Sequence, residues 1–241
     1  MHYLIIDFEM GEVDAKDREK LSGMAKEIIE TGAVLLKEDF SFDSEFSSFS
    51  RPRVGYLSSY VRKMTGIRKE DLSHAPSIEE VLSDMGAWLS GKEVCALSWS
   101  DSDCRQLKRE MEVKDIHVPE IEALFPTWSD FQLAFGRLVG LKERCALSDA
   151  LRICHIRPVG REHDGLYDAR NTASLFSKLQ RSGSAAVSLT PIGGRPAPQK
   201  KKTEELCWTP ERVFFALRNG REAAMGDGFR KYHFEKRMRK V

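Results

Sequence analysis

The chain has 241 residues, of which 41% are hydrophobic and 31% charged, with a formal net charge of +1. That composition is ordinary for a soluble globular protein, and a chain of this length buries a sizeable core without disulfides or a structural metal. The longest apolar runs, such as Tyr3-Leu4-Ile5-Ile6 and Ala33-Val34-Leu35-Leu36, are far too short to span a bilayer.

The N-terminus has no basic segment followed by an apolar stretch, so no signal peptide is expected. The five cysteines (Cys95, Cys104, Cys145, Cys154, Cys207) are odd in number and contain no CxxC pair. They read as reduced thiols of a cytoplasmic protein rather than a disulfide framework or a zinc site. The small net charge hides an asymmetry. From Gly183 to Val241 there are 13 basic and 6 acidic residues, so the preceding body is acidic by about six. An acidic body suits a cation site, and a basic tail suits a polyanionic partner.

Along the chain, His2-Tyr3-Leu4-Ile5-Ile6-Asp7-Phe8-Glu9 is rich in β-branched and aromatic residues and reads as a strand. Gly11 to Lys20 is polar, has no useful periodicity and reads as a loop. Glu27 to Lys37 reads as a second strand. Asp39 to Ser50, with Phe40, Phe42 and Phe46 among polar residues, reads as a third, ended by Pro52 and Gly55. No crossover helix fits between these three, so they predict an antiparallel meander.

Helical patterns follow over Leu57 to Met64 and Ser77 to Leu89, the latter opened by a capping box of Ser77 and Glu80. Glu93 to Ser98 reads as a short buried strand, and a helix starts near Asp103. Further helices are expected over Ser129 to Leu138, Ala146 to Ile156 and Tyr167 to Leu179, with a loop over Gly160 to Gly165. The order predicts an α/β fold, a mixed sheet of three antiparallel strands with parallel additions beneath flanking helices. The expected organisation is a domain over 1–182, a Gly/Pro/Lys-rich linker over 183–204 and a basic tail over 205–241, with a short helix starting at Thr209-Pro210-Glu211.

Three pieces carry candidate chemistry. Asp7 and Glu9, one residue apart on a strand, leave the same face. Burying two like charges there is costly unless something positive lies between them. A structural reading, with Asp7 at a strand end and Glu9 in a loop, accounts for the pair alone equally well. The second piece is Ser98-Trp99-Ser100-Asp101-Ser102-Asp103, where a strand end meets a helix start. Either aspartate could supply a functional carboxylate there, and Asp103 alternatively suits a helix N-cap. The third is His163-Asp164-Gly165-Leu166-Tyr167-Asp168-Ala169-Arg170-Asn171-Thr172-Ala173. Five helical positions turn a side chain by about 140°, so His163 and Asp168 share a site only if Gly165 separates a loop from a helix.

Together and in this order, the pieces resemble the three motifs of the DEDDh exonucleases, the DnaQ-like branch of the ribonuclease H-like fold. Asp7-Phe8-Glu9 matches the first motif. Trp99 with Asp103 and Leu107 matches the second, which favours Asp103 over Asp101. His163 with Asp168 matches the third. The strand from Glu27 to Leu36 and the Thr65-Gly66-Ile67 turn match as well, and the resemblance runs over about residues 1 to 180. Within the family it leans toward short RNA 3′ exonucleases that trim histone messenger or small interfering RNA. Ser100 stands where glycine is frequent, and the tail beyond about 183 has no counterpart.

The resemblance implies a metal-dependent 3′→5′ exonuclease acting on single-stranded RNA or DNA, with RNA favoured. Two Mg²⁺ or Mn²⁺ ions would be held by Asp7, Glu9, Asp103 and Asp168, with His163 as general base. It further implies that Phe8, Met10, Met64, Thr65 and Trp99 hold the terminal nucleotide, although Phe8 and Trp99 suit core packing equally well. Two rival readings remain. One is a polymerase proofreading subunit docked through Cys207 to Gly220. The other is a non-catalytic nucleic-acid-binding module, whose mark would be a missing carboxylate.

Overall fold

A computed structural model describes residues 1–141, 143–182, 187 and 189–192. Five strands, β1 (His2–Glu12), β2 (Lys26–Leu36), β3 (Phe42–Phe49), β4 (Val94–Ser98) and β5 (Ser129–Asp130), form one sheet in the order β3-β2-β1-β4-β5. The β1/β2 and β2/β3 pairs are antiparallel, and β4 and β5 add in parallel. Eight α-helices accompany the sheet among the described residues. They are α1 (Ser59–Thr65), α2 (Lys69–Ser73), α3 (Ile78–Leu89), α4 (Asp101–Lys114), α5 (Pro119–Glu122), α6 (Phe131–Val139), α7 (Leu147–Ile153) and α8 (Gly165–Arg181).

The antiparallel meander, the parallel addition of Val94–Ser98 and the Ser77/Glu80 capping box are all present. The segment read as a plain loop differs. Strand β1 continues to Glu12, held by mutual backbone hydrogen bonds with Tyr56, and Ala15–Leu21 winds into a 3-10 turn. That turn buries Leu21 against Val13 and Met24, a small apolar cluster that the charged residues around it obscure. The helix expected from Ser129 begins instead at Phe131. Ser129 and Asp130 pair with Leu97 and Ser98 as β5, and Asp130 then caps α6 by accepting the Leu133 N–H at 2.8 Å. Short α2 and α5 fall below the length at which periodicity can be read.

Strand β1 divides the core. Leu4, Ile6 and Phe8 face α3 and α4, packing with Ile28, Ala33, Leu35, Val81, Met85 and Leu107. Ile5 faces the other way, with Val34, Leu36, Phe135, Phe176 and Leu179. Each such buried side chain contributes about 1.5–3 kcal/mol relative to exposure. On this second face the apolar row of β1 gives way, toward its C-terminal end, to Asp7 and Glu9. Within the stretch read as a linker, Val187 is buried against this face and the Ile192 N–H donates to the Trp128 carbonyl at 2.8 Å. The expected tail over 205–241 and its helix lie outside the described residues.

A buried ionic cluster ties α4 to β2. Lys114 Nζ lies 2.7 Å from Glu27 Oε1 and 2.6 Å from Glu110 Oε1, with all three side chains essentially unexposed. Glu27 also accepts the backbone N–H groups of Arg53, Val54 and Gly55, fixing the turn after β3. Glu110 accepts the Ile28 N–H at 2.9 Å. Burial opposes the charge on Glu27, yet Lys114 and the backbone donors hold its carboxyl below the ordinary value. Removing one partner of such a cluster strands the others. Lys114→Ala is expected to cost about 3–5 kcal/mol in urea unfolding; a loss below about 1 kcal/mol would show that the cluster is not what clamps the helix to the sheet.

Candidate active site

The site forms where β1 stops being apolar. In the β1/β2 register Asp7 lies opposite Gly32 and Glu9 opposite Glu30, and the register shifts between Glu9 and Met10. Glu9 and Glu30 are both about 5–6% exposed. Glycine at position 32 is required because α8 lies directly on it. A side chain there would overlap the backbone of Gly165 and Leu166. Gly165 in turn faces the Gly32 amide, the Asp7 carbonyl and the Glu30 side chain. Glu30 Oε2 accepts the Gly165 N–H at 3.2 Å, satisfying one of the donors that a helix leaves open at its N-terminus.

Asp103 comes from α4. The helix starts at Asp101, with Ser100 as N-cap accepting from the Ser102 N–H, so Asp103 sits inside the first turn and does not cap. Its Oδ1 accepts the Phe8 N–H at 3.2 Å, which binds α4 to β1 between the two strand carboxylates. The two aspartates that the sequence leaves as alternatives are therefore placed differently. Asp103 is buried on the cleft floor, whereas Asp101 pairs with Arg105 at 3.1 Å and Arg144 at 3.8 Å on the rim.

Asp168 comes from the first turn of α8, one turn beyond the N-cap Asp164, whose side chain accepts the Tyr167 N–H at 3.1 Å. The loop and helix separate at Gly165, as the spacing requires. His163 precedes the helix in the left-handed region (φ 61°), and its N–H donates to Asp168 Oδ2 at 2.9 Å. The imidazole is about half exposed, with Nδ1 3.9 Å from Glu9 Oε1. Glu9, His163 and Asp168 each offer a ligand atom within 4.8 Å of the others.

Electrostatics distinguish this cluster from the one around Lys114. Among the described residues no lysine or arginine forms an ion pair with Asp7, Glu9, Asp103 or Asp168. Burial first, then Asp168, Glu30 and Asp103, pushes Glu9 up to about 8. Burial raises Asp103 to about 7 despite its hydrogen bonds, and Glu30 to about 7. Asp7 is raised well above its ordinary value by burial and then by the charges of Asp103, Asp168, Glu9 and Glu30. Burial also raises Asp168, against the opposing pull of His163. Clustered hard oxygen donors that pair with no lysine or arginine among the described residues fit a divalent cation.

The cleft above this floor has a volume of about 820 Å³ and is lined by all four carboxylates, His163, Phe8, Met10 and Trp99. Trp99 packs edge-on to Phe131 at 5.7 Å, so it is both cleft wall and core. Phe8 is buried on the α3/α4 side, and Met10 is half-buried. Met64 and Thr65 belong to the last turn of α1 and are not among the residues lining the cleft. The Thr65 hydroxyl is engaged within its own turn, donating to the Val61 carbonyl and accepting from the Ile67 N–H. Glu30 and Gly32 were legible only through register, since their relevance comes from what lies across from them.

A family model described as exonuclease matches residues 4–176, which include all four carboxylates and His163. The chain belongs to the exonuclease family. Its mixed sheet with flanking helices is the ribonuclease H-like fold of the solved exonuclease structures it resembles. ERI1 exoribonuclease 2 of Danio rerio is 34% identical over 203 residues, covering 75% of this chain and 35% of the relative. The Homo sapiens protein of the same name is 31% identical over 183 residues, covering 66% of this chain and 26% of its own length. This chain therefore spans only about a third or less of the length of those relatives. The nuclease domain of 3′hExo bound to rAMP shares the fold with a TM-score of 0.66 at 20% identity, covering 78% of this chain and 96% of that one. Cell-death related nuclease 4 does so with a TM-score of 0.63 at 22% identity, covering 78% and 66%.

The raised carboxyls give the metal-free protein a defined pH response. Folded-state values of about 8 for Glu9 and about 7 for Asp103 exceed the ordinary 4.5 and 3.8, so the native state holds extra protons between these limits. Stability from these groups is present at low pH and declines as pH rises through about 7 to 8. Without divalent ions, thermal melting should fall between about pH 6 and 8.5. Added Mg²⁺ or Mn²⁺ should raise it more at the higher pH, where no protons have to be displaced. Equal metal-induced shifts at both pH values would contradict this picture of the floor.

Proposed function

We propose that the chain is a divalent-metal-dependent 3′→5′ exonuclease that shortens single-stranded RNA from its 3′ end and releases nucleoside 5′-monophosphates. The observation that carries this reading is the convergence of Asp7, Glu9, Asp103 and Asp168 on one cleft floor, Glu9 and Asp103 buried and Asp7 and Asp168 partly so, with no lysine or arginine among the described residues paired to them and His163 beside Glu9. The names of the relatives, exoribonucleases among them, support RNA over DNA as the substrate.

Two Mg²⁺ or Mn²⁺ ions suit this donor set, and when bound they supply a nucleophilic water at neutral pH and stabilise charge on the phosphoryl and leaving oxygens. Asp7, facing the charges of the other three acids, would hold metal together with them. Glu9 and Asp168, beside His163, would hold the ion on the attacking side. Asp103, on α4, would serve the leaving-group side. His163 takes the proton of the attacking water. Its exposed ring is free to accept that proton, while its backbone is fixed to Asp168. Phe8, Met10 and Trp99 along the cleft, with Met64 and Thr65 beyond it, would seat the terminal nucleotide by sequence-tolerant stacking and apolar contact.

The basic tail is part of this reading as a further contact for nucleic acid or a protein. So is a cytoplasmic location, consistent with free Cys95, Cys104, Cys145 and Cys154. No helix among the described residues is long and apolar enough to cross a membrane.

Timed digestion of 5′-labelled RNA and DNA oligonucleotides with Mg²⁺ tests the proposal. A ladder shortening from the 3′ end, faster for RNA and abolished by chelator, is expected. Asp7→Ala and Asp168→Ala should reduce the rate to background, and His163→Ala should lower kcat by about 10²–10⁴-fold with little change in KM. Full Mg²⁺-dependent activity in Asp7→Ala would remove the metal assignment.

A further inference from the structure

The segment that carries His163 is an irregular loop, yet it is held at four successive points. Asn171, buried in α8, brackets Val159 by accepting its N–H at 2.9 Å and donating to its carbonyl at 3.0 Å. Gly160 has φ 69° and lies under the Tyr167 ring, where any side chain would overlap the ring. His163 is fixed through its N–H to Asp168. Between these, Arg161 reaches out of the loop to a different part of the fold. Its Nη2 donates to the carbonyls of Lys63 at 2.7 Å and Met64 at 3.0 Å, in the last turn of α1.

That contact is built from both sides. The final carbonyls of a helix lack intrahelical donors and carry the negative end of its dipole, so a guanidinium with its fork of N–H groups suits them. Helix α1 ends at Gly66, whose φ of 77° forms its left-handed cap. A side chain on Gly66 would occupy the space taken by the Arg161 guanidinium. Glycine therefore serves the cap and admits the arginine.

The position of His163 depends on what flanks it. A non-glycine residue at φ 61° is in a region that side chains rarely adopt, and it stays there only when its neighbours are fixed. Arg161 fixes the chain two residues before it and Asp168 holds its own amide. Without the first anchor, the backbone at His163 is free to return to negative φ, which would turn the imidazole away from Glu9.

We propose that Arg161 is a positioning residue, anchoring the His163 loop to the C-terminal turn of α1 so that the imidazole stays above the carboxylate floor. The same link joins the base to the turn bearing Met64 and Thr65. This inference rests on the proposed role of His163.

A double-mutant cycle on 5′-labelled RNA with Mg²⁺ tests it. Arg161→Ala should lower kcat between about tenfold and a hundredfold, as a displaced base does, while KM changes less than about threefold. Arg161→Lys, which keeps a donor for one carbonyl, should recover part of the loss. In the His163→Ala background, adding Arg161→Ala should slow the enzyme by no more than about twofold, because the group it positions is already absent. Thermal melting of Arg161→Ala close to wild type would show that the loss is not unfolding. A full additional loss in the His163→Ala background overturns the anchoring role alone. An unchanged rate in His163→Ala itself overturns both this inference and the base assignment beneath it.

Discussion

Like charges in a poorly solvated patch repel one another strongly, and this fold brings five carboxylates together: Asp7, Glu9, Asp103 and Asp168 on the cleft floor, with Glu30 across the sheet from Glu9. The same fold shows how a protein ordinarily resolves such a conflict. Away from the cleft but equally buried, Glu27 and Glu110 share Lys114; Glu27 is held below its ordinary value, while burial raises Glu110 against the pull of Lys114. At the cleft no lysine or arginine among the described residues performs that service, and Glu9 rises to about 8 instead. The difference marks one cluster as structural and the other as a place for a cation from solution.

Bringing those acids together against their repulsion is the work of the surrounding fold. The apolar rows of β1 on either side of Asp7 bury Leu4, Ile6 and Phe8 on one face and Ile5 on the other, which fixes the strand and the direction of its acids. Asp103 is tied to the Phe8 amide. Helix α8 approaches so closely that Gly32 and Gly165 touch backbone to backbone, and Glu30 spends an oxygen on the Gly165 amide. Asp168 thereby reaches the strand acids from a helix, while His163 reaches them from a loop pinned at Val159, Gly160 and Arg161.

Much of this was legible in the sequence. The spacing of Asp7 and Glu9 on an apolar strand, the glycine between His163 and Asp168, and the three-strand meander each follow from periodicity and turn chemistry. Motif resemblance singled out Asp103 over Asp101, and the two are placed differently: Asp103 is buried against the Phe8 amide, whereas Asp101 faces two arginines on the rim. What escaped notice depends on contacts distant in sequence. Glu30 looks like any strand glutamate until the register sets it opposite Glu9, and Gly66 looks like a simple helix cap until Arg161 is seen against it. The two-residue β5 and the 3-10 turn around Leu21 are set by pairing and packing that no local pattern announces.

The central claim is that cations from solution complete the cleft floor. Calorimetric titration of the full chain with Mn²⁺ near pH 7, in the presence of a nucleoside 5′-monophosphate, measures this directly. The account predicts saturation at two ions per chain, with proton release as Glu9 and Asp103 ionise, and loss of binding in Asp7→Ala. Absence of saturable binding, or binding unchanged by Asp7→Ala, would contradict it.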